Sequence, residues 1–99
     1  VIECGVEHGV DWEYHPEVLP NWDNTPRSGR SGLVYTGSTP ELFRSHLREA
    51  MAVVRRYRPS HRIILVKSWN EWAEGNHLEP DQRFGTQYLD VIREELTRP

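Results

Sequence analysis

The 99-residue sequence lacks several features that mark large classes of protein. It has one cysteine, Cys4, so it cannot build an internal disulfide framework; it suits a reducing compartment or simply does not use disulfides. Its 12 basic residues are outnumbered by 15 acidic ones, which argues against a nucleic-acid partner held by phosphate contacts. No apolar run is long enough to span a bilayer, so we expect no transmembrane segment and a cytoplasmic location.

What is present is the composition of a folded chain, with 36% hydrophobic and 10% aromatic residues. The length allows one small domain, and a stand-alone domain of this size buries too little surface to be more than marginally stable. The sequence begins at Val1 rather than at a methionine. We therefore expect a piece of a longer protein, with no second domain in residues 1–99.

The first forty residues are rich in loops, because they hold four of the seven prolines and five of the seven glycines. Only short strands are predicted there, at residues 17–19 and 33–35.

Residues 40–57 have the pattern of an amphipathic helix. Ser38 and Thr39 offer a hydroxyl cap, Pro40 suits the first turn, and Pro59 ends the pattern. The side chains expected to pack share an arc of about 140°: Leu42, Phe43, His46, Leu47, Ala50, Val53, Val54 and Tyr57. The opposite side carries Arg44, Arg48, Glu49, Arg55 and Arg56. We expect these arginines to be solvated, with an anion site as the alternative.

Residues 62–67 have a continuous apolar core of four residues, 63–66, which is rich in β-branched side chains and shows no alternation. This is typical of a strand covered on both faces in a parallel sheet. Residues 68–80 show no regular period, and residues 84–96 predict a last helix. Its apolar side is expected to consist of Phe84, Tyr88, Leu89, Val91, Ile92 and Leu96.

This order of helix, buried strand, polar loop and helix predicts an α/β fold. In such folds the loop after the carboxyl end of a strand carries the chemistry, in open sheets and in (β/α)8 barrels alike. Residues 68–80 occupy that position.

The loop at residues 68–80 contains a pair of carboxylates, Glu71 and Glu74, three positions apart. In an extended strand they would point to opposite faces, whereas in a turn or helical bend their side chains become neighbours. Two carboxylates flanking a sugar bond are the usual tools of glycosidic chemistry, one as acid and the other as base or nucleophile. The alternative is that both glutamates are simply solvated.

The same loop supplies side chains suited to sugars. Trp69 and Trp72 offer flat apolar faces for stacking on a pyranose ring, and Asn70 and Asn76 can donate to and accept from hydroxyl groups. The alternative for the two tryptophans is an ordinary place in the core.

Residues 20–27 form a second polar and aromatic cluster after a predicted strand. Asp23 and Arg27 are candidates for an ion pair, and Asn24 for a turn cap, although a rigid loop tied by side-chain hydrogen bonds is equally open. A third group looks metal-like but matches no known ligand spacing, so we expect no metal and no cofactor: Glu3, Cys4, Glu7, His8, Asp11, Glu13 and His15.

Two motifs, WDNTPR at residues 22–27 and WNEWAEGNHLEP at residues 69–80, resemble the WbsX-type family, with a helix between them. Members are described as glycosyltransferases of bacterial O-antigen biosynthesis and have a domain similar to glycoside hydrolase family 99. The resemblance implies a (β/α)8 barrel, which needs about 250 residues. The chain would then be the carboxyl-terminal portion of one such barrel, with the remaining strands supplied by preceding sequence.

In family 99 endo-α-mannosidases, a similar Asn-Glu-Trp-x-Glu-Gly segment carries two glutamates. The resemblance implies that Glu71 is a base acting on the sugar's own 2-hydroxyl, through an epoxide-like intermediate, and that Glu74 is the general acid. Those enzymes commonly have a histidine where this sequence has Ala73.

The sequence therefore predicts a glycan-active enzyme of bacterial surface polysaccharide metabolism. Glu71 and Glu74 would be catalytic, and the carbohydrate would be bound by Trp22, Asp23, Asn24, Arg27, Trp69, Asn70, Trp72 and Glu79. Transfer and hydrolysis both remain open, although no Gly-rich phosphate loop or Asp-x-Asp is present. The alternatives are a non-catalytic carbohydrate-binding barrel and an inert truncated fragment.

Overall fold

A computed structural model of the chain describes residues 12–98. The elements in this stretch are β1 (Glu17–Val18), α1 (Thr25–Ser28), α2 (Pro40–Val54), β2 (Leu65–Val66), β3 (Asn70–Glu71), β4 (Asn76–His77) and α3 (Gln87–Thr97). Single 3-10 turns lie at Gly29–Ser31, Pro59–His61 and Trp72–Glu74.

Strands β1 and β2 form a parallel pair, with Glu17 opposite Leu65 and Val18 opposite Val66. The predicted strand at 17–19 is thus confirmed for its first two residues. The predicted strand at 33–35 is wrong: Val34 makes one isolated bridge, to Asp23. The chain leaves a 3-10 turn at Ser31, shortly before this segment, and it runs beside the loop at Asp23 for too few residues to form a strand.

Helix α2 begins as predicted, because the Thr39 hydroxyl accepts a hydrogen bond from the Leu42 N–H at 3.2 Å. It ends at Val54, three residues earlier than the pattern indicated. The Arg62 side chain donates to the carbonyls of Arg55 and Tyr57, satisfying acceptors beyond the helix end. Leu42, which was expected to pack, is 43% exposed.

Helices α2 and α3 pack through a buried charge as well as apolar side chains. Glu95 on α3 is 1% exposed, and its carboxylate accepts hydrogen bonds from Arg44 and Arg48 of α2, both at 2.8 Å. The expectation of a solvated side chain is therefore wrong for Arg44, which is 20% exposed, and is confirmed for Arg48, which is 46% exposed. The apolar side predicted for the last helix is also wrong at Leu96, which is 68% exposed. Glu95 takes the inward position because it lies four residues after the buried Val91.

The core lies between α2, α3 and the β1–β2 pair. Its buried members are Val18, Phe43, Leu47, Ala50, Leu78, Tyr88 and Val91. The run at 62–67 was expected to be covered on both faces, but Ile63 is 46% exposed and Leu65 is 51% exposed. Within residues 12–98, the outer side of β2 has no packed layer against it.

The parallel pairing of β1 and β2 positions the two sequence motifs. Because parallel strands have their carboxyl ends at the same edge, the loops that follow β1 and β2 emerge side by side. These loops carry residues 20–27 and 68–80, so the motifs share one end of the sheet.

Candidate functional site

The two motif loops are docked backbone to backbone. The Asp23 N–H donates to the Glu74 carbonyl at 2.8 Å, and Gly75 lies directly against Asp23. Gly75 has a left-handed conformation, with φ of 56° and ψ of 38°, and a Cβ there would lie 2.8 Å from the Asp23 nitrogen. Only glycine satisfies both conditions without strain.

Two asparagine side chains add hydrogen bonds that hold the two motif loops together. The Asn21 amide accepts from the His77 N–H at 2.8 Å and donates to the His77 carbonyl at 3.2 Å. Asn76 is fully buried, and its amide donates to the carbonyls of Asn21 and Lys67 at 2.7 and 2.8 Å. The interpretation of Asn76 as a sugar ligand is therefore wrong, because its donors hold the loops together.

Glu71 and Glu74 converge on one guanidinium group. Arg27 Nη2 lies 3.6 Å from Glu71 Oε1, and Arg27 Nη1 lies 3.8 Å from Glu74 Oε1. Glu71 ends strand β3, and the 3-10 turn that follows rotates Glu74 back to the same side. Their side chains are 42% and 23% exposed, so both carboxylates face solvent.

The ion pair predicted between Asp23 and Arg27 is wrong. Asp23 Oδ1 instead accepts from the hydroxyl and the amide of Thr25, at 2.6 and 3.0 Å. These two hydrogen bonds hold the pKa of Asp23 below its usual value. The Asn24 side chain accepts from the Leu33 N–H rather than capping the short helix α1.

Trp72 is held on its face and on its edge. Its ring stacks on the imidazole of His77, with centroids 3.8 Å apart and planes 20° apart. Its indole N–H donates to Glu79 Oε1 at 2.7 Å. Trp72 is nonetheless 46% exposed, so an aromatic surface remains open to ligand.

His77 is itself anchored by Asp81. The His77 Nε2 atom lies 2.9 Å from Asp81 Oδ2, and Asp81 Oδ1 accepts from the Phe84 N–H at 2.7 Å. Burial works to raise the pKa of Asp81, but the bonds from Phe84 and His77 outweigh it and hold that pKa below its usual value.

The remaining predicted ligand-binding residues border the same loops. Trp69 is 50% exposed, and its carbonyl accepts from the N–H groups of Leu78 and Glu79. Asn70 is exposed on strand β3. Trp22 is half-buried, with the Lys67 ammonium 5.3 Å from its ring centroid.

Comparison with known proteins assigns the chain to a family. The model of the family described as Glycosyltransferase WbsX matches residues 3–92. The chain belongs to the WbsX glycosyltransferase family. This confirms the resemblance predicted from the two motifs, and it places the chain in a glycan-related enzyme family.

Two curated relatives, from Xanthomonas campestris pv. campestris strains B100 and ATCC 33913, are both described as uncharacterized protein WxcX. Each is 42% identical over 89 residues, which are 89% of this chain and 13% of the relative. The chain therefore spans a small part of these longer proteins. No solved structure matches it.

Sequence reasoning missed the supporting residues of this WbsX-family segment. Asn21, His77 and Asp81 were not selected, because their roles depend on partners in other loops. Asn21 and Asp81 gave one usable signal, because short polar side chains next to a proline, here Pro20 and Pro80, are typical of loops ordered by side-chain hydrogen bonds.

The structure bears on the expected absence of a metal site and of a membrane span only within the residues that it describes. Among residues 12–98, no group of three or more His, Cys, Asp or Glu side chains is placed to share a metal ion. Over the same range, no helix has the length and apolar character that a membrane span requires. Most of the metal-like group lies outside the described residues: Glu3, Cys4, Glu7, His8 and Asp11. The cytoplasmic location stays a prediction.

Proposed function

We propose that the full-length protein is an enzyme of bacterial surface polysaccharide metabolism that transfers or cleaves glycosidic linkages with Glu71 and Glu74. The observation that carries the proposal is the convergence of both carboxylates on Arg27, at 3.6 and 3.8 Å. A pair of solvent-facing carboxylates on one side of a loop is the arrangement that glycosidic chemistry needs. The family assignment supports a carbohydrate substrate.

In this proposal Glu74 is the general acid. It protonates the departing glycosidic oxygen, while Glu71 removes the proton from the attacking hydroxyl, which the resemblance to family 99 implies is the sugar's own 2-hydroxyl. Both contacts to Arg27 are longer than a hydrogen bond, so the guanidinium orients the carboxylates without occupying their lone pairs.

The aromatic side chains supply the binding surface. Trp72 lies directly after Glu71, and Trp69 lies two residues before it; both are about half exposed. Indole faces stack on the apolar face of a pyranose ring, and exposed amides such as Asn70 bind its hydroxyl groups. The substrate would thus lie along the loop formed by residues 69–79.

We also propose that residues 1–99 complete a (β/α)8 barrel with other parts of the full-length protein, as one domain. The parallel β1–β2 pair, joined by α2, supplies one repeating unit of such a barrel. The half-exposed Ile63 and Leu65 side chains would then contact neighbouring elements. The length of the relatives leaves ample chain for this, since the matched region is 13% of each.

The test is Glu71→Gln and Glu74→Gln in the full-length protein, with Glu49→Gln on the exposed side of α2 as the control. The probe is a set of oligosaccharides released from the producing organism's surface polysaccharide and labelled at their reducing ends. We expect each site variant to lose at least about a hundredfold in turnover while still binding the oligosaccharide. Turnover that survives both substitutions would end the proposal.

A non-catalytic carbohydrate-binding barrel is the second candidate, favoured by the exposed tryptophans Trp69 and Trp72. It predicts oligosaccharide binding without turnover in the unmodified protein. The same assay separates the two candidates, because only an enzyme has turnover for the glutamine variants to remove.

A further inference from the structure

We propose that His77, anchored by Asp81, is a positioning residue that fixes the plane of Trp72 as the floor of a sugar-ring subsite bordered by residues 80–82. The inference rests on the proposed function in one respect: it takes the ligand to be a carbohydrate. It adds a subsite next to the carboxylate pair and names the residues that build it.

Only one face of the Trp72 ring is free of contact with His77. The His77 ring covers the other face at a centroid distance of 3.8 Å, and Glu79 takes the indole N–H at 2.7 Å. The 46% exposure of Trp72 therefore belongs to the opposite face and the remaining edges. A flat, apolar, exposed face with its polar edge already satisfied is suited to the C–H face of a sugar ring.

The Trp72 ring is also restricted in orientation, because the His77 ring on which it stacks is held in place. The His77 side chain is only 12% exposed and is bound to Asp81 at 2.9 Å. Asp81 is tied in turn to the Phe84 amide at 2.7 Å, and Asn21 holds both backbone polar groups of His77. The bond to Asp81 fixes the imidazole ring, and the bonds to Asn21 fix the backbone of His77. The indole ring stacked on this imidazole is therefore held in a nearly parallel plane.

The subsite also needs space beside Trp72. An open depression of about 490 Å³ is lined by Trp72, Pro80, Asp81 and Gln82. An aromatic floor with a carboxylate and an amide at its margin is the chemistry that binds a pyranose, because the ring has an apolar face and hydroxyl groups at its rim. Trp72 follows Glu71 in the sequence, so in this proposal the subsite takes a sugar unit next to the one at the carboxylates.

The experiment uses the full-length protein and the labelled surface-polysaccharide oligosaccharides as probe. His77→Ala should raise KM about tenfold and change kcat by less than about threefold, because it disturbs binding rather than the reacting groups. His77→Phe keeps a flat stacking ring and should recover most of the loss. In a Trp72→Ala background, His77→Ala should have little further effect, since residues that act through one another are not additive.

Asp81→Asn provides a second route if His77→Ala does not fold, with a smaller rise in KM expected in the same direction. An unchanged KM in the His77 and Asp81 variants, or additive effects with Trp72→Ala, would overturn the inference while leaving the glutamate assignment intact. Oligosaccharide binding without turnover would remove the proposed catalysis, and Kd would then replace KM as the measure of the subsite. An unmodified protein that binds no oligosaccharide would overturn both proposals.

Discussion

Gly75 and Asp23, 52 positions apart in the sequence, are in backbone contact where the two motif loops meet. A Cβ at Gly75 would overlap the Asp23 backbone, and the preceding Glu74 carbonyl accepts the Asp23 N–H at 2.8 Å. This contact couples the loop that carries the carboxylates to the loop that carries Arg27. The convergence of charges at the candidate site therefore depends on a residue with no side chain.

Gly75→Ala is expected to separate the loops. The substitution adds both left-handed strain, since φ is 56°, and a collision with backbone that has no flexible end to move aside. The strain alone costs on the order of 1–3 kcal/mol, and the collision adds to it. We expect a clear loss of stability by chemical denaturation and a loss of turnover in the full-length protein.

Gly37→Ala is the matched control for that variant. Gly37 also has a positive φ, of 76°, but nothing lies within 4 Å of an added Cβ. It should show the strain cost without the collision, and turnover should be retained. Equal effects of the two substitutions would mean that the Asp23 contact has no special part in holding the site.

Arg27→Ala is expected to lower turnover about tenfold, because the two carboxylates lose the cation that orients them toward each other. Arg30→Ala, three residues on and also exposed, is the control and should leave turnover unchanged. Steady-state kinetics of the full-length variants would measure both. Wild-type turnover in Arg27→Ala would limit Arg27 to a surface ion pair of little consequence.

The sequence was most informative where structure depends on near neighbours. The cap at Thr39, the amphipathic α2 and the position of β1 follow from local patterns, and all three are confirmed. The two motifs also identified the family and the loops that build the site. Short-range chemistry and a recognisable motif therefore carried most of the prediction.

Long-range partners account for the errors. Glu95 breaks the apolar pattern of α3, and its burial depends on hydrogen bonds from arginines of α2, so the pattern of α3 alone predicts Leu96 on the inward side. In the same way, Asp23 is a candidate partner for Arg27 within residues 20–27, whereas the structure places Arg27 next to carboxylates more than forty positions away. Ion pairs across elements have no local signature.

Glu95 gives a pH-dependent prediction. Hydrogen bonds from Arg48 and then Arg44 outweigh the effect of burial and lower the pKa of Glu95 from 4.5 to about 2. A carboxyl with a depressed native pKa stabilises the fold above its unfolded pKa and loses that contribution as the pH falls through the native pKa. The stability difference between the full-length protein and Glu95→Gln should thus be largest above about pH 4.5 and shrink toward pH 2.

Glu94→Gln is the control for the Glu95 experiment. Glu94 also contacts Arg44, at 2.6 Å, but its side chain is 51% exposed. Its removal should change stability by less than about 1 kcal/mol, the usual range for exposed pairs. Denaturant midpoints measured from pH 7 downward would test both variants, and a Glu95→Gln effect independent of pH would contradict the assignment.

The outer side of β2 distinguishes a segment of a larger fold from an independent unit. Leu65 and Leu96 are both exposed within residues 12–98, at 51% and 68%, but Leu65 lies on a strand and Leu96 on the outside of α3. If the full-length protein packs other elements on β2, Leu65→Ala should cost about 2–5 kcal/mol there, as a core substitution does, and Leu96→Ala close to nothing. Both leucines are exposed within residues 12–98, so only other parts of the full-length protein could bury Leu65 more than Leu96. If both substitutions lower the free energy of unfolding by equally small amounts, that result would argue against a completed barrel.

In the isolated 99-residue chain, where β2 has no such cover, we expect thermal melting without a cooperative transition.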